Sequence, residues 1–244
     1  MFMKNLDKRL AKAVKHFWLT RDSQSLNQGV KSGTRDAGLR TAVTGGKHLD
    51  GFAELCLDIL IDAGLKKTEI YWKQKTELPG YFRAEKKWDL LAISNDQLIA
   101  VIEFKAQVGP SFGNNFNNRT EEAVGNATDL WAAYREGAIQ PSQRPWLGFL
   151  FLLEDCPRSH SPVKIKAPHF KTFEEFQGAS YAKRYEVMLT KLLRERLYDG
   201  TCLLLSKRED ANKGLSNSPI QELSFNSFAS SLSGHASGFA KIRE

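Results

Sequence analysis

The segment PWLGFLFLLED carries a nearly continuous apolar run from Leu147 to Leu153. A strand with one face in water alternates apolar and polar residues, so an unbroken run indicates a strand that is covered on both faces. Covering both faces of a sheet requires a layer of helices on each side. This segment therefore favours an α/β domain with a sheet flanked by helices.

The rest of the chain alternates helical and strand patterns, with no separating linker and no internal repeat. Apolar residues recur at helical spacing in four segments: 4–19, 49–63, 120–139 and 181–198. Strand patterns occur in EIYWK, YFRAE, KWDLLAI, QLIAVIEFKA, PWLGFLFLLED and TCLLLSK. The segments 21–47 and 109–119 are polar and are predicted to be loops. A Ser-rich segment with partly helical apolar spacing closes the chain. This order predicts one domain over residues 1–244 with a mixed sheet.

Bulk properties narrow the classes of protein to which the chain can belong. Its 244 residues are 41% hydrophobic, which is typical of a soluble globular protein. The three cysteines, Cys56, Cys156 and Cys202, are far apart and lack C-x-x-C spacing, which argues against a disulfide framework or a zinc site. No apolar run approaches the roughly 18 residues of a membrane span. A reducing cytoplasm is the expected location.

Positive charge is concentrated in one part of the chain. The formal net charge is +7, and residues 64–87 contain seven Lys or Arg against three Glu, a local excess of +4. Such an excess fits a polyanionic partner such as nucleic acid, and it also fits an ordinary solvated basic face. The segment directly precedes RAEKKWDLLAISNDQLIAVIEFKAQ, where charged residues interrupt predicted sheet.

Within that stretch, Asp89, Glu103 and Lys105 occupy strands that otherwise read as buried. Side chains alternate along a strand, so Glu103 and Lys105 share a face of the second strand. With a three-residue loop Asn95-Asp96-Gln97, Asp89 falls opposite Glu103; with a two-residue loop it falls opposite Ile102. The first register gathers all three charges.

Two buried carboxylates repel each other, and a divalent cation removes that conflict. Oxygen ligands suit Mg²⁺, and the backbone carbonyl of Phe104 offers a third ligand beside Asp89 and Glu103. Lys105 would then orient or deprotonate a water nucleophile, or stabilise charge on a phosphorane. Together these groups serve phosphodiester hydrolysis. The alternative is a structural ion pair between Asp89 and Lys105, with Glu103 facing solvent.

This arrangement resembles the PD-(D/E)XK nuclease core, in which a catalytic Asp and a Glu-x-Lys lie on a hairpin after a helix. The wider sequence resembles the XhoI family of type II restriction endonucleases over most of the chain. The resemblance is carried notably by KKWDLLAISNDQLIAVIEFKAQVGPSFGNNFNNRTEEAVGNATDLW and LAKAVKHFWLTRDSQ. Trp88 replaces the proline that gives the core its name, a position that many members vary.

The resemblance implies a restriction-endonuclease-like fold and a homodimer that cuts both strands of the palindrome CTCGAG with Mg²⁺, leaving 5′ overhangs. It also implies a location in the bacterial cytoplasm. A cognate DNA methyltransferase is expected as a genetic partner, but not in a stable complex with this chain. Carried over by position, Asp89 and Glu103 are metal ligands and Lys105 is the catalytic lysine. Many such nucleases add a carboxylate from the first core helix, for which Glu54 is the best match, although Asp50 and Asp58 lie one turn away.

Candidate DNA contacts follow the catalytic strand. Amides and guanidinium groups read base edges, and the predicted loop after that strand carries Asn114, Asn115, Asn117, Asn118 and Arg119. Clustered Asn also serves turns, so a local structural role is the alternative. Gln107 shares the catalytic face, and Lys164 and Lys166 lie in a basic loop suited to phosphate contacts.

Two other functions fit the same residues less fully. A repair or recombination nuclease on this core would act on a DNA structure or lesion, and a non-catalytic DNA-binding protein would use the carboxylates as a structural ion pair.

Overall fold

The computed structural model of the chain describes residues 5–29 and 46–242. The helices are α1 (Leu6–Gly29), α2 (Asp50–Asp62), α3 (Gly113–Arg135), the single turn α4 (Pro157–His160), α5 (Tyr181–Arg194) and α6 (Phe225–Ile242). The strands are β1 (Ile70–Trp72), β2 (Glu77–Pro79), β3 (Glu85–Lys87), β4 (Leu90–Ser94), β5 (Gln97–Gln107), β6 (Trp146–Glu154) and β7 (Gly200–Ser206).

A five-stranded mixed sheet, in the order β1-β4-β5-β6-β7, forms the centre of the fold. Strands β1, β4 and β5 pair antiparallel, whereas β5, β6 and β7 pair parallel. Every residue of β6 except Glu154 is buried, which confirms the strand predicted from the apolar run. Strands β2 and β3 form a separate two-stranded hairpin.

Helices cover both faces of the sheet, as the fold-class prediction requires. One core cluster contains residues of α1, α2 and α6, among them Phe17, Phe52 and Phe228. The other contains residues of α3 and α5, among them Leu130 and Tyr185. Because consecutive strand residues point to opposite faces, Phe104 enters the first cluster, while its neighbours Glu103 and Lys105 point toward the second.

Three predicted boundaries were wrong. Helix α1 continues to Gly29, although residues from Arg21 onward were predicted to be a loop; residues 30–45 of that loop lie outside the described part of the chain. No proline interrupts Arg21–Gly29, so nothing local stops the helix before its glycine. The predicted strand YFRAE is mostly a bend, and β2 forms instead from Glu77–Pro79.

The third error concerns α3, which begins at Gly113 and not at Thr120. The Asn-rich segment predicted as a loop is therefore the first two turns of a helix. Asn is an unfavourable helix residue by several tenths of a kcal/mol, but tertiary packing overrides that preference. Phe112 is buried and stacks on Tyr181, and Phe116 packs edge-to-face on Tyr185, so the segment is anchored to α5 just before its start and at its middle.

The turn between β4 and β5 is shorter than one predicted alternative. Asn95 and Asp96 form a two-residue turn, with left-handed φ angles of 50° and 60°, and Ser94 pairs with Gln97. Left-handed φ at both turn residues is typical of a tight hairpin, and Asn and Asp tolerate it. The three-residue loop Asn95-Asp96-Gln97 is thus wrong.

A β-bulge nevertheless restores the register that this loop was meant to give. The pairing shifts by one residue within the hairpin, leaving Ile99 as an extra residue of β5. With the two-residue turn alone, Asp89 would face Ile102. With the bulge, the register carries Asp89 to the position opposite Glu103, because one added residue moves every later side chain across the sheet.

Within residues 5–29 and 46–242, no helix has the length and apolarity needed to cross a membrane.

Candidate active site

Asp89 and Glu103 occupy facing positions just beyond the paired part of β4. Leu90 pairs with Ile102, so the next position outward sets Asp89 opposite Glu103. Directly opposed residues of an antiparallel pair lie on one face with Cβ atoms about 5 Å apart. Lys105, two residues along β5, points to the same face. The structure therefore brings the three predicted catalytic side chains together.

Glu103 is held between two ammonium groups. Its side chain is 4% exposed, its Oε1 atom accepts a very short hydrogen bond from Lys105, and its Oε2 atom lies 3.0 Å from Nζ of Lys86. A carboxylate buried this deeply needs such partners to remain ionised. The prediction that Glu103 faces solvent, which belonged to the ion-pair alternative, is wrong.

Lys86 was not singled out by sequence reasoning, although it belongs to the basic segment that did stand out. It lies on β3, and its ammonium packs 4.1 Å from the ring centroid of Trp88, the residue in the place of the usual proline. Side-chain alternation predicts contacts only within a strand or between known partners. Lys86 reaches Glu103 from a different sheet, so only the tertiary structure reveals the contact.

Asp89 is partly buried, and its side chain accepts a hydrogen bond from the backbone of β5. Its Oδ2 atom accepts a hydrogen bond of 2.8 Å from the backbone N–H of Phe104. Burial raises the pKa of Asp89 to about 6, with a further contribution from the charge of Glu103, against the opposing effects of Lys105 and the Phe104 N–H. Ionisation of Asp89 is thus unfavourable in this setting, and a nearby cation would favour the ionised form.

Lys105 remains a strong cation in this setting. Burial alone would lower its pKa, but the charges of Glu103 and Asp89, together with the hydrogen bond to Glu103, raise it above the ordinary lysine value. Arg119 of α3 has the opposite influence on Lys105, which places a second basic group close to the site. At neutral pH the Lys105 amine is therefore protonated.

The donor set fits a hard divalent cation. Asp89 and Glu103 supply carboxylate oxygens at facing positions, and the Phe104 peptide adjoins both because its N–H binds Asp89. In the described residues no cluster of three or more His, Cys, Asp or Glu forms a larger metal cage. A site with few protein ligands suits an ion that keeps several waters.

The carboxylates of α2 lie in two different places. Glu54 and Asp58 line a groove between α1 and α2, beside Arg9 and His16. Asp50, at the start of α2, lines a cleft of about 520 Å³ together with Asp89. The structure therefore places Asp50, rather than Glu54, in the same cleft as Asp89, and the Oδ2 atom of Asp50 is 2.8 Å from Nζ of Lys73.

The candidate DNA contacts divide into exposed and enclosed residues. Asn114, Asn117 and Asn118 are exposed on α3, as are Lys164 and Lys166 in the loop after α4. Asn115 and Arg119 are half-buried; Asn115 donates to the Ser111 carbonyl at 2.6 Å, and Arg119 pairs with Glu122 at 2.5 Å. The Nε atom of Arg119 is buried and has no hydrogen-bond partner in the described structure.

Gln107 is enclosed. Its side chain is 3% exposed, its Nε2 atom donates to the Ser111 carbonyl at 3.0 Å, and its Oε1 atom accepts a very short hydrogen bond from the Tyr185 hydroxyl. Both ends of the amide are thus engaged within the chain. Gln107 links the end of β5 to α5, and contact with DNA would require breaking those bonds.

Comparisons of the whole sequence with known proteins identify its relatives. The sequence model of the XhoI restriction endonuclease family matches residues 28–218, well over half of the chain. The type II restriction enzyme BstVI of Geobacillus stearothermophilus is 49% identical over 213 residues, covering 85% of this chain and 95% of the relative. The type II restriction enzyme XhoI of Xanthomonas vasicola is 44% identical over 188 residues, covering 76% and 75%. The type II restriction enzyme AbrI of Azospirillum brasilense is 48% identical over 166 residues, covering 68% and 74%. No solved structure matches this chain at a significant level.

Proposed function

Because this chain belongs to the XhoI restriction endonuclease family and is a type II restriction endonuclease, we propose that it hydrolyses both strands of double-stranded DNA at CTCGAG with Mg²⁺, leaving 5′ overhangs. The palindrome is the one implied by the resemblance to the XhoI family. The observation that carries the proposed chemistry is the facing pair Asp89 and Glu103 with Lys105 on the same face of the sheet.

The proposed metal is Mg²⁺, since type II restriction endonucleases generally need a divalent ion and the ligands here are all oxygens. Asp89, Glu103 and the Phe104 carbonyl would hold it. When bound, the ion supplies electrostatic stabilisation of the charge that develops on the phosphoryl oxygens. The raised pKa of Asp89 supports this assignment, because a cation beside the carboxylate favours its ionised form.

The protonation state of Lys105 narrows its role. In the metal-free protein the charges of Glu103 and Asp89 raise the pKa of Lys105, so its amine carries a proton at neutral pH. Its ammonium can donate hydrogen bonds to the attacking water or to a phosphoryl oxygen. We therefore propose that Lys105 orients the nucleophile and stabilises negative charge.

For DNA recognition we propose the N-terminal turns of α3. A helix fits the major groove, and side chains near its start reach base edges. Asn114, Asn117 and Asn118 are exposed there, and Arg119 lies close enough to Lys105 to affect its pKa. The same helix thus connects base reading to the catalytic strand. Lys164 and Lys166 are proposed as phosphate contacts.

The proposed assembly is a homodimer. A palindrome has twofold symmetry, and two copies of one chain related by a twofold axis present one active site to each strand. A cell that carries such an activity needs its own copies of the site protected, so a methyltransferase is the expected genetic partner. The proposed location is the bacterial cytoplasm, where the DNA is.

Digestion of a sequenced plasmid with mapping of the new ends tests the proposal. With Mg²⁺ the expected products are discrete fragments that all end within CTCGAG and carry 5′ extensions, and without Mg²⁺ the plasmid stays intact. Fragments that end at a different palindrome would refute the assigned sequence. Nicking confined to branched or damaged DNA would favour a repair nuclease, and a gel shift with no cleavage would favour a non-catalytic binding protein.

A further inference from the structure

The tip of the β2–β3 hairpin presents two exposed aromatic side chains. Tyr81 is 54% exposed and Phe82 is 71% exposed, with their rings edge-to-face at 4.9 Å between centroids. Large aromatic side chains bury well over 100 Å² when they find a partner, so leaving two adjacent rings in water is costly. Contiguous exposed apolar surface of this kind is typical of interaction sites.

Asp129 of α3 holds this tip. Its side chain is 4% exposed, and its carboxylate accepts hydrogen bonds from the backbone N–H groups of Tyr81 (2.9 Å) and Phe82 (2.8 Å) and from Nε of Arg83 (2.8 Å). Burial opposes ionisation of Asp129, but these three donors lower its pKa. A buried carboxylate is thus committed to fixing the backbone beneath two exposed rings.

Gly80 allows the close approach that this clamp requires. A Cβ atom at residue 80 would lie 2.7 Å from Oδ2 of Asp129 and 2.8 Å from the Arg83 carbonyl oxygen. Any side chain at residue 80 would therefore force the tip away from α3. Preorganising a loop in this way removes much of the entropy cost of using it to bind a partner.

The base of the same hairpin reaches the active site. Lys86 follows Phe82 by four residues and contacts Glu103. Since a chain extends at most about 3.6 Å per residue, the Cα atoms of Phe82 and Lys86 are no more than about 14 Å apart. A six-base-pair site is about 20 Å long at about 3.4 Å per base pair. The tip therefore lies within the length of a six-base-pair duplex of the residue that contacts Glu103.

We propose that Tyr81 and Phe82 are specificity-determining residues that enter a groove of the DNA and contact bases within the recognition sequence. The inference rests on the proposed function and adds a second reading element to α3. Apolar and aromatic side chains contact thymine methyl groups or insert between base steps, and neither contact depends on charge. The partner is the DNA duplex because the tip belongs to the basic segment 64–87, and Lys86 of the same hairpin contacts Glu103.

The test is DNA binding by Phe82→Ala and Tyr81→Ala in Ca²⁺, measured by fluorescence anisotropy on a CTCGAG duplex and on a duplex of unrelated sequence. We expect each substitution to weaken binding to CTCGAG by about tenfold or more, as loss of a base–aromatic contact does. Binding to the unrelated duplex and the salt dependence of binding should stay unchanged, because no charge is removed. Gly80→Ala should reproduce the loss while leaving both rings in the chain.

Phe173→Ala is the matched control, since Phe173 is also 71% exposed but lies in the loop before α5. It should bind both duplexes as the unchanged protein does. If Phe82→Ala and Tyr81→Ala bind CTCGAG within twofold of the unchanged protein, the inference is wrong. It is also wrong if either substitution converts a dimer to a monomer in sedimentation, because the rings would then form the subunit interface. Failure of the unchanged protein to cut CTCGAG would instead contradict the proposed function.

Discussion

The Nζ atom of Lys86 lies 3.0 Å from Oε2 of Glu103, whereas Lys105 contacts the other carboxylate oxygen, Oε1. Lys86 belongs to the β2–β3 hairpin and Lys105 to β5. The Glu103 carboxylate therefore forms ion pairs with two lysines, one from each of two sheets. A divalent ion that binds Glu103 must compete with these ammonium groups, because like charges near a metal disfavour its binding.

Replacing Lys86 should therefore strengthen metal binding in the absence of DNA. For Lys86→Met we expect the affinity for Mn²⁺, measured by calorimetric titration, to rise at least about fivefold, since one positive charge about 3 Å from a ligand oxygen is removed. Lys75→Met removes a charge from an exposed position of the same basic segment and should leave the affinity as it was. Equal affinities for Lys86→Met and the unchanged protein would contradict a competing role for Lys86.

The proposed catalytic trio should be separable from DNA binding. Asp89→Ala, Glu103→Ala and Lys105→Ala are each expected to reduce cleavage of a CTCGAG plasmid by at least about 10³-fold, the loss typical when a group that stabilises the transition state is removed. Binding to the same DNA in Ca²⁺ should survive. Glu209→Ala, at a side chain that is 77% exposed, serves as the control and should cut normally. Retained cleavage in any of the three would remove that residue from the mechanism.

Asp89 should destabilise the metal-free protein above pH 6. The pKa of Asp89 is raised from 3.8 to about 6 by burial and by Glu103, so the folded state holds a proton that the unfolded state releases between those values. The free energy of unfolding therefore falls as the pH rises from 4 to 6, and the full penalty applies above that range. In EDTA, urea unfolding of Asp89→Asn should show a gain of about 1–3 kcal/mol at pH 8 and little gain near pH 4.

Asp129→Asn should change the pH dependence of stability in the opposite direction to Asp89→Asn. Burial of Asp129 disfavours its charge, but the N–H groups of Phe82 and Tyr81 and the guanidinium of Arg83 lower its pKa below the ordinary value. Its ionised form therefore stabilises the fold at neutral pH, and that contribution is lost on acidification. Asp129→Asn should lose stability at pH 8. A pH-independent change for both variants would show that neither carboxylate is linked to folding in this way.

Gln107 should contribute to stability rather than to DNA binding. Truncation in Gln107→Ala leaves the buried Tyr185 hydroxyl without its partner, which costs about 1–3 kcal/mol, whereas the Ser111 carbonyl still accepts from Asn115. In a chain of this length that corresponds to a fall in melting temperature of several degrees. Tyr185→Phe tests the same bond from its other end. An unchanged melting temperature with weaker binding to CTCGAG would instead identify Gln107 as a DNA contact.

The spacing of apolar residues in the sequence predicted most of the central sheet. The unbroken apolar run of β6 identified a strand buried on both faces, and the apolar spacing of α2 and α5 located both helices within a few residues of their ends. The two-residue period of β5 put Glu103 and Lys105 on one face. These properties are local, since each depends on residues within one element, and the sequence by itself therefore determines them.

Relations between elements were decided only by the tertiary structure. Whether Asp89 faces Glu103 depends on the bulge at Ile99, which adds one residue to β5 and so moves every later side chain to the other face. Packing of Phe112 and Phe116 on α5 likewise makes a helix of an Asn-rich segment. The contacts of Lys86 with Glu103 and of Asp129 with the β2–β3 tip join residues that no period connects. Each depends on the free energy of burial in the assembled fold, which the local pattern does not contain.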